Sequence, residues 1–405
     1  MSTKIFLSHL SRTGSTLLAD RLESGYHLVA LPEAKLPRFV YGLRRIVPTM
    51  GQPTLGMGSS PLTTADDIKQ LLSLLWTTTQ LGRWGFGAPP DEVGGSPNLS
   101  ASLPDAFIEF LDTTATRLPL TAPQIVDALM DWSASINDGQ IPTMGGSPPS
   151  PSTDRQEIPV LHKGDPVMPW VAAKVQAQFP GSIVLYTMRD PRAMYVSQRH
   201  GNMQLPERPF SRRAAVAATE WARSAKAILA HQEQTNSHGS CVVVKYEDLI
   251  TAPEPTLTAA SGQLGLSPRH AATPHSPVPP SEGFLSRVDL TEVAALHQLV
   301  AGEVQPARAE AWRTDISSAD QSVIEQICGP LMETFGYRRT ARPGPPAWSR
   351  PLSEAKGQIA TAHERTQRRR ERSSAPSTPT ALSRLSHSTR KAIKHASSLY
   401  RTSRV

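Results

Sequence analysis

The sequence predicts an α/β fold: a parallel central sheet flanked by helices, with a helical insertion lobe and a basic, largely disordered C-terminal tail. Three observations carry that expectation. Short apolar, strand-like runs alternate with segments whose apolar residues recur at helical spacing, the pattern of a parallel sheet covered on both faces. A Ser/Thr-rich turn with a central glycine stands where the first strand should pass into the first helix. Stretches dense in Gly, Pro, Ser and Thr set the alternating parts off from a middle region of helical patterns.

Taken in order, Lys4 to Leu10 is a short apolar strand, and a helix follows it from Ser15. His27 to Leu31 is the next strand-like run. Residues 41–160 read as a helical insertion, joined by loops at Gly51 to Pro61, Gly87 to Pro104 and Gly139 to Pro159. Its helical patterns are Asp66 to Leu81, with Ile68, Leu71, Leu72, Leu75 and Trp76 on one face, then Asp105 to Leu118, then Ala122 to Asp138. Val160 to Lys163 is a further strand, followed by a helix from Met168 to Phe179 in which Val171, Val175 and Phe179 are spaced by four. Ile183 to Met188 is a strand with a helix beginning near Arg192, and a long helix from Ser211 to Gln234 precedes a strand at Val242 to Tyr246. After a Pro-rich break at Ala272 to Pro280, the last helix spans Ala319 to Phe335. It places Ile324, Ile327, Cys328, Leu331 and Phe335 on one side and ends at Gly336, although Pro330 argues against its continuity. Trp76, Trp170 and Trp221 read as core residues. The domain is expected to span residues 1–340, with residues 341–405 a tail.

A chain of 405 residues and 43.9 kDa can bury a large core, which excludes a disulfide-stapled miniprotein. The two cysteines, Cys241 and Cys328, form no cluster with metal-ligand spacing, so they read as small buried residues and no metal is expected. The first residues carry no apolar stretch long enough for a signal-peptide core or a membrane span, so a soluble, cytoplasmic protein is expected. The net charge of +7 is unevenly placed: from Ala341 onward 14 lysines and arginines face 3 acidic residues, which leaves residues 1–340 four charges negative. That tail contains Thr366-Gln-Arg-Arg-Arg-Glu-Arg372 and a later amphipathic pattern in which Leu382, Leu385, Ile393, Ala396, Leu399 and Tyr400 share a helical face. Solvated disorder, contact with an anionic membrane or glycolipid surface, and contact with another acidic partner are its three readings. Nucleic acid is the weakest partner, because no aromatic-rich RNA module accompanies the charge.

The chemistry begins at Ser11-Arg-Thr-Gly-Ser-Thr16. Gly14 lets backbone approach an anion, the hydroxyls of Thr13, Ser15 and Thr16 and the first helical N–H groups can donate to it, and Arg12 adds charge. A plain helix N-cap is the competing reading. The segment is no Walker A loop, which would need glycine in place of His9 and lysine in place of Ser15, and this counts against ordinary ATP hydrolysis. A second element changes the balance: Met188-Arg-Asp-Pro-Arg-Ala-Met-Tyr-Val-Ser197 puts Arg189 at the end of a strand and Ser197 eight residues later on a helix. Both could meet one phosphate. The competing reading for Arg189 is an ion pair with Asp190.

These two segments, in this order, resemble the P-loop-like α/β sulfotransferases that use 3′-phosphoadenosine 5′-phosphosulfate, PAPS. The resemblance extends to Val244-Lys-Tyr-Glu-Asp-Leu249 and to Arg308-Ala-Glu-Ala-Trp-Arg313, and covers roughly residues 4–40 and 158–338. It implies that Arg12, Thr13, Gly14, Ser15 and Thr16 hold the 5′-phosphosulfate, that Arg189 and Ser197 hold the 3′-phosphate, and that Tyr246 and Arg308 join the nucleotide site. Ala311 stands where many relatives carry a basic residue, and the helical insertion matches nothing assignable.

The implied reaction is in-line displacement at sulfur by a hydroxyl of a glycan, lipid or other metabolite, with no metal required. Arg12 and the helix terminus would stabilise the leaving phosphate, and Lys163, in His162-Lys-Gly-Asp-Pro166, resembles a lysine that some members place near the transferred group. Glu33 is the expected base, as it follows the strand-like run at His27 to Leu31 much as a glutamate does in protein-tyrosine and several glycan sulfotransferases. The competing reading is a solvated carboxylate paired with Lys35, and His9 and His162 are reserve bases. Two rival functions remain open: a P-loop nucleotide or small-molecule kinase, and a non-catalytic anion- or membrane-binding protein of the same fold. Acceptor identity and oligomeric state lie beyond these motifs.

Overall fold

The computed structural model of the protein describes residues 3–31, 110, 112–135, 158–204, 213–235, 239–269 and 305–340. Glu33 and Lys35, Trp76, the helical pattern at 66–81, the loops at 51–61, 87–104 and 139–157, the break at 272–280 and the tail from Ala341 lie outside the described residues.

Five parallel strands form one sheet: β1 (Lys4–Ser8), β2 (Val29–Leu31), β3 (Val160–Val167), β4 (Ile183–Met188) and β5 (Cys241–Lys245), in the spatial order β2-β3-β1-β4-β5. The helices are α1 (Ser15–Gly25), α2 (Ala122–Ser135), α3 (Pro169–Gln176), α4 (Pro191–Gln204), α5 (Ala214–Thr235), α6 (Tyr246–Thr251), α7 (Pro253–Leu264), α8 (Trp312–Asp315) and α9 (Ser318–Thr334), with a 3₁₀ turn at Pro306–Ala309. The expected parallel α/β architecture is therefore the observed one.

The period of two along each strand sorts the interior into two cores. Phe6, Val29, Leu31, Val160, Val184, Tyr186 and Met188 point to one face, where α2, α3, α5 and α9 cover them with residues such as Ile125, Val175, Trp221 and Ile324. Their neighbours Ile5, Leu7, Ala30, Leu161, Leu185, Val242 and Val244 point to the other face, covered by α1, α6 and α7. Central β1 is buried at every position, whereas edge strand β5 alternates buried and half-buried residues.

The order of the strands sets where a ligand belongs. From β1 the chain crosses to β2 on one side, and from β3 it crosses back past β1 to β4 on the other. The crevice at the carboxyl ends of β1 and β4 is thus a topological switch point, the usual ligand position in an open α/β sheet.

Several local expectations shift. Strand β3 does not stop at Lys163 but continues to Val167: Phe6 pairs with His162 and Ser8 with Val167, so residues 163–166 bulge opposite Leu7. Strand β5 starts at Cys241 and hands over to α6 at Tyr246, one residue before the predicted strand end. Helix α9 runs through Pro330, whose ring faces solvent while Ile324, Ile327, Cys328 and Met332 stay packed. Tertiary packing there outweighs the one backbone bond that proline cannot make. Cys328 is buried as expected, but Cys241 is only half-buried, because it lies on the edge strand. Trp221 is fully buried, whereas Trp170 is half-buried with the guanidinium of Arg223 stacked 4.1 Å from its ring centre.

Candidate active site

The turn between β1 and α1 is built around two left-handed residues, Arg12 (φ 73°) and Gly14 (φ 88°). Glycine adopts this conformation freely; arginine in it gives up about 1–2 kcal/mol. Side chains hold the strained turn in place. The Thr13 hydroxyl donates to the Leu10 carbonyl at 2.8 Å and shares a 2.7 Å hydrogen bond with Thr187 of β4, while Gln198 Nε2 of α4 donates to the Ser11 carbonyl at 3.1 Å.

The N-cap of α1 is Gly14 itself, and no side chain caps the helix. The serine and threonines around it are therefore not serving as plain N-caps, and the first-turn N–H groups carry the partial positive charge of an open helix terminus. Ser15 is buried and Thr16 half-buried in that first turn, whereas Thr13 is turned inward with 2% of its surface exposed. No larger residue fits at position 14, since a Cβ there would overlap Cδ2 of Tyr246.

The β4 end closes on this turn. Arg189 NH1 donates to the Arg12 carbonyl at 3.1 Å, and the Arg12 side chain reaches in the opposite direction to donate from Nε to the Ser197 hydroxyl at 3.1 Å. The Arg189 guanidinium lies 4.1 Å above the Tyr246 ring. Its Nε is buried with no hydrogen-bond partner among the described residues. Arg189 is not paired with Asp190, the competing reading of the sequence: both Asp190 oxygens go to Arg192, at 2.9 and 2.6 Å.

Electrostatically, the crevice is poised for an anion. Burial lowers the Arg12 pKa to about 10, helped by the charges of Arg189 and Arg308 and opposed by Tyr246. Burial likewise lowers the pKa of Arg189, which Tyr246 and Glu247 counteract and Arg308 reinforces. Three guanidinium groups thus repel one another around one turn, a repulsion that a bound polyanion would relieve. Arg308 reaches the group from the 3₁₀ turn, half-buried, with its Nε donating to Gln305 at 3.2 Å.

The remaining candidates lie around this centre. Lys163 is 2% exposed at the β3 bulge. His162 is fully buried with its ring 5.9 Å from that of Phe6, and His9 is buried with Nδ1 3.1 Å from the Leu10 carbonyl. The crevice brings Arg12, Gly14, Arg189, Ser197 and Tyr246 together by direct contact and Arg308 by charge. Glu33 lies outside the described residues.

Other functional contacts escaped the sequence reading. The Trp221 indole donates to the Arg189 carbonyl at 2.8 Å, Glu247 accepts from the Asp190 N–H at 2.9 Å, and Arg192 joins Glu325 at 2.6 Å under the Trp312 ring. Glu247 was visible in the Tyr-Glu-Asp-Leu segment, but nothing local showed what it bonds. Among the described residues no group of three or more His, Cys, Asp and Glu side chains is placed to hold a metal, and no helix is long and apolar enough to cross a membrane.

Fold and crevice together define a parallel α/β protein with arginines gathered around a left-handed turn at its switch point. The chain belongs to the sulfotransferase family, whose model, described as "Sulfotransferase family", matches residues 5–269. Among solved structures it is similar to the sulfotransferase domain from the Synechococcus PCC 7002 olefin synthase, at 18% identity over 84% of this chain and 95% of that one, with a TM-score of 0.47. It is also similar to the sulfotransferase domain from the curacin biosynthetic pathway, at 19% identity over 84% and 99%, with a TM-score of 0.49. A third is sulfotransferase STF9 from Mycobacterium avium, at 11% identity over 84% and 79%, with a TM-score of 0.37. No curated protein matches the chain.

Proposed function

We propose that the protein transfers the sulfuryl group of PAPS to a hydroxyl of a glycan, lipid or other metabolite. One observation carries the reading: segments 177 residues apart, Arg12 and Arg189, meet across the Gly14 turn, and a buried Arg189 N–H has no partner among the described residues. A guanidinium desolvated and unsatisfied in this way is stabilised by an anionic oxygen.

The donor supplies a sulfuryl group on a phosphate leaving group. The first turn of α1 and Arg12 receive the 5′-phosphosulfate end, with Ser15 and Thr16 at hand; Thr13 acts through the loop it anchors. Arg189, Ser197 and Arg308 receive the 3′-phosphate, with Tyr246 flanking the nucleotide. Arg12 Nε donates to the uncharged Ser197 hydroxyl, an acceptor weaker than the oxygens of a doubly charged phosphate. As the acceptor oxygen bonds to sulfur, the bond from sulfur to the bridging oxygen breaks, and the charge that collects on the phosphate is met by Arg12 and the helix terminus. Lys163 neutralises charge on the transferred group, and Glu33 takes the acceptor proton.

The test is incubation of the full chain with sulfur-labelled PAPS and a panel of hydroxyl acceptors. Arg12→Ala and Arg189→Ala should each lower label transfer by about 100-fold or more, the scale seen when one transition-state donor is removed. Transfer unaffected by either change removes that residue from the scheme. Magnesium-dependent ATP turnover without label transfer would replace the reading with a kinase, and PAPS binding without transfer, indifferent to Glu33→Gln, with a binding protein.

A further inference from the structure

Glu247 has no part in the transfer scheme, yet its carboxylate is divided between two long-range partners. Oε1 accepts the backbone N–H of Asp190 at 2.9 Å, and Oε2 accepts the hydroxyl of Tyr337, beyond α9, at 3.0 Å. The N–H of Asp190 and the carbonyl of Arg189 belong to the same peptide plane. That carbonyl is held by the Trp221 indole at 2.8 Å, and the rings of Trp221 and Tyr337 meet edge to face, 6.3 Å between centres. Both polar groups of one peptide are thus gripped by side chains, and the two grips touch each other through Tyr337.

The gripped peptide is the one that aims Arg189. Its plane fixes the direction in which the side chain leaves the backbone, and Tyr246, the neighbour of Glu247, supports the guanidinium from one face. Residual freedom in the long arginine side chain is small: NH1 is tied to the Arg12 carbonyl, and Nε is buried with no hydrogen-bond partner among the described residues. A positioning error of about 1 Å at such a group can change binding or rate by two orders of magnitude.

We infer that Glu247 is a positioning residue which, clamped with Trp221 and Tyr337 around the peptide between residues 189 and 190, sets Arg189 to discriminate adenylates that carry a 3′-phosphate from those that lack one. The inference rests on the reading of Arg189 as a 3′-phosphate ligand. It also gives the segment after α9 a function in nucleotide recognition although none of its residues is among the proposed nucleotide ligands.

The experiment is titration calorimetry on the full chain with adenosine 3′,5′-bisphosphate and, separately, adenosine 5′-phosphosulfate. Glu247→Ala and Tyr337→Phe should weaken the bisphosphate by about tenfold or more, the scale of one lost bond to a charged group, and leave the 5′-phosphosulfate within about threefold of wild type. Glu247→Gln keeps an acceptor for the Asp190 N–H and should recover most of the bisphosphate affinity. Equal losses for both ligands would make Glu247 a general structural residue, and no loss for either would remove the clamp; both outcomes overturn the inference. If Glu247→Ala does not fold, Tyr337→Phe, which deletes a single oxygen, carries the comparison. A wild-type protein that binds neither ligand, or binds both equally, overturns the reading of Arg189 itself, and this inference with it.

Discussion

Gly14 is where the needs of the backbone and of the proposed nucleotide site coincide. Its φ of 88° ends the turn, its lack of a Cβ admits the Tyr246 ring, and it leaves the start of α1 uncapped. Gly14→Ala should therefore lower stability by about 1–2 kcal/mol for the left-handed backbone, and should cost nucleotide affinity besides by displacing Tyr246. Thermal melting with and without adenosine 3′,5′-bisphosphate separates the two: a variant that melts lower but keeps the full ligand-induced rise would deny the ring its place in the site. Glycine, Arg12 and Arg189 could be picked out by residue type and position alone. Their mutual contact could not, nor could the transfer of Asp190 from Arg189 to Arg192, because a carboxylate flanked by two arginines carries no mark of which one it will choose.

At the scale of elements, the helix that follows β3 is tied to the sheet by a buried histidine. Tyr186 of β4 and His231 Nδ1 lie 2.7 Å apart, His231 Nε2 lies 2.7 Å from Gln176 Oε1, and Gln176 Nε2 donates to the carbonyls of Ser182 and Ser240 at 2.8 and 2.9 Å. Burial lowers the His231 pKa below its ordinary value. The unfolded chain then binds more protons than the folded one in the window between the two values. This contribution to stability is complete above about pH 6.5 and is lost as the pH falls through the lowered folded value. His231→Gln should melt lower than wild type near neutral pH, yet lose less on acidification; parallel slopes between pH 7.5 and 5 would show that the imidazole does not titrate on unfolding. Strands β1 and β4 were readable because their centres, Ile5 to Leu7 and Val184 to Tyr186, are continuous apolar runs that the fold buries completely. The bulge in β3 was not, because Lys-Gly-Asp-Pro looks like a terminating turn until the register with β1 carries the strand past it. Lys4 behaves similarly: as a sequence residue it opens a strand, and as a folded one it lies 4% exposed, paired with Asp127 and Asp131 of α2.

Across the whole molecule, the sheet's alternation separates two apolar cores, and a polar knot joins the centre to the chain's last described segment. Arg192, 2% exposed, binds both oxygens of Asp190, then Glu325 of α9 at 2.6 Å, the Thr340 hydroxyl at 3.2 Å and the Arg338 carbonyl at 3.0 Å, with the Trp312 ring centred 4.0 Å away. Deleting one member of such a cluster strands the others' charges in a desolvated interior. Arg192→Met should accordingly cost about 3–5 kcal/mol in urea unfolding, and a loss under about 1 kcal/mol would mean that water reaches the carboxylates. The alternating architecture was readable from spacing and the segments around Gly14 and Arg189 from residue type and position, whereas this knot joins Arg192 to residues more than a hundred positions away, with no periodicity to announce it. Because the knot and the Tyr337 contact both end within residues 337–340, trimming inside that stretch removes both, and under the proposed role of Arg189 it is expected to blunt nucleotide reading from a distance, in a product that still contains every residue expected to touch the donor.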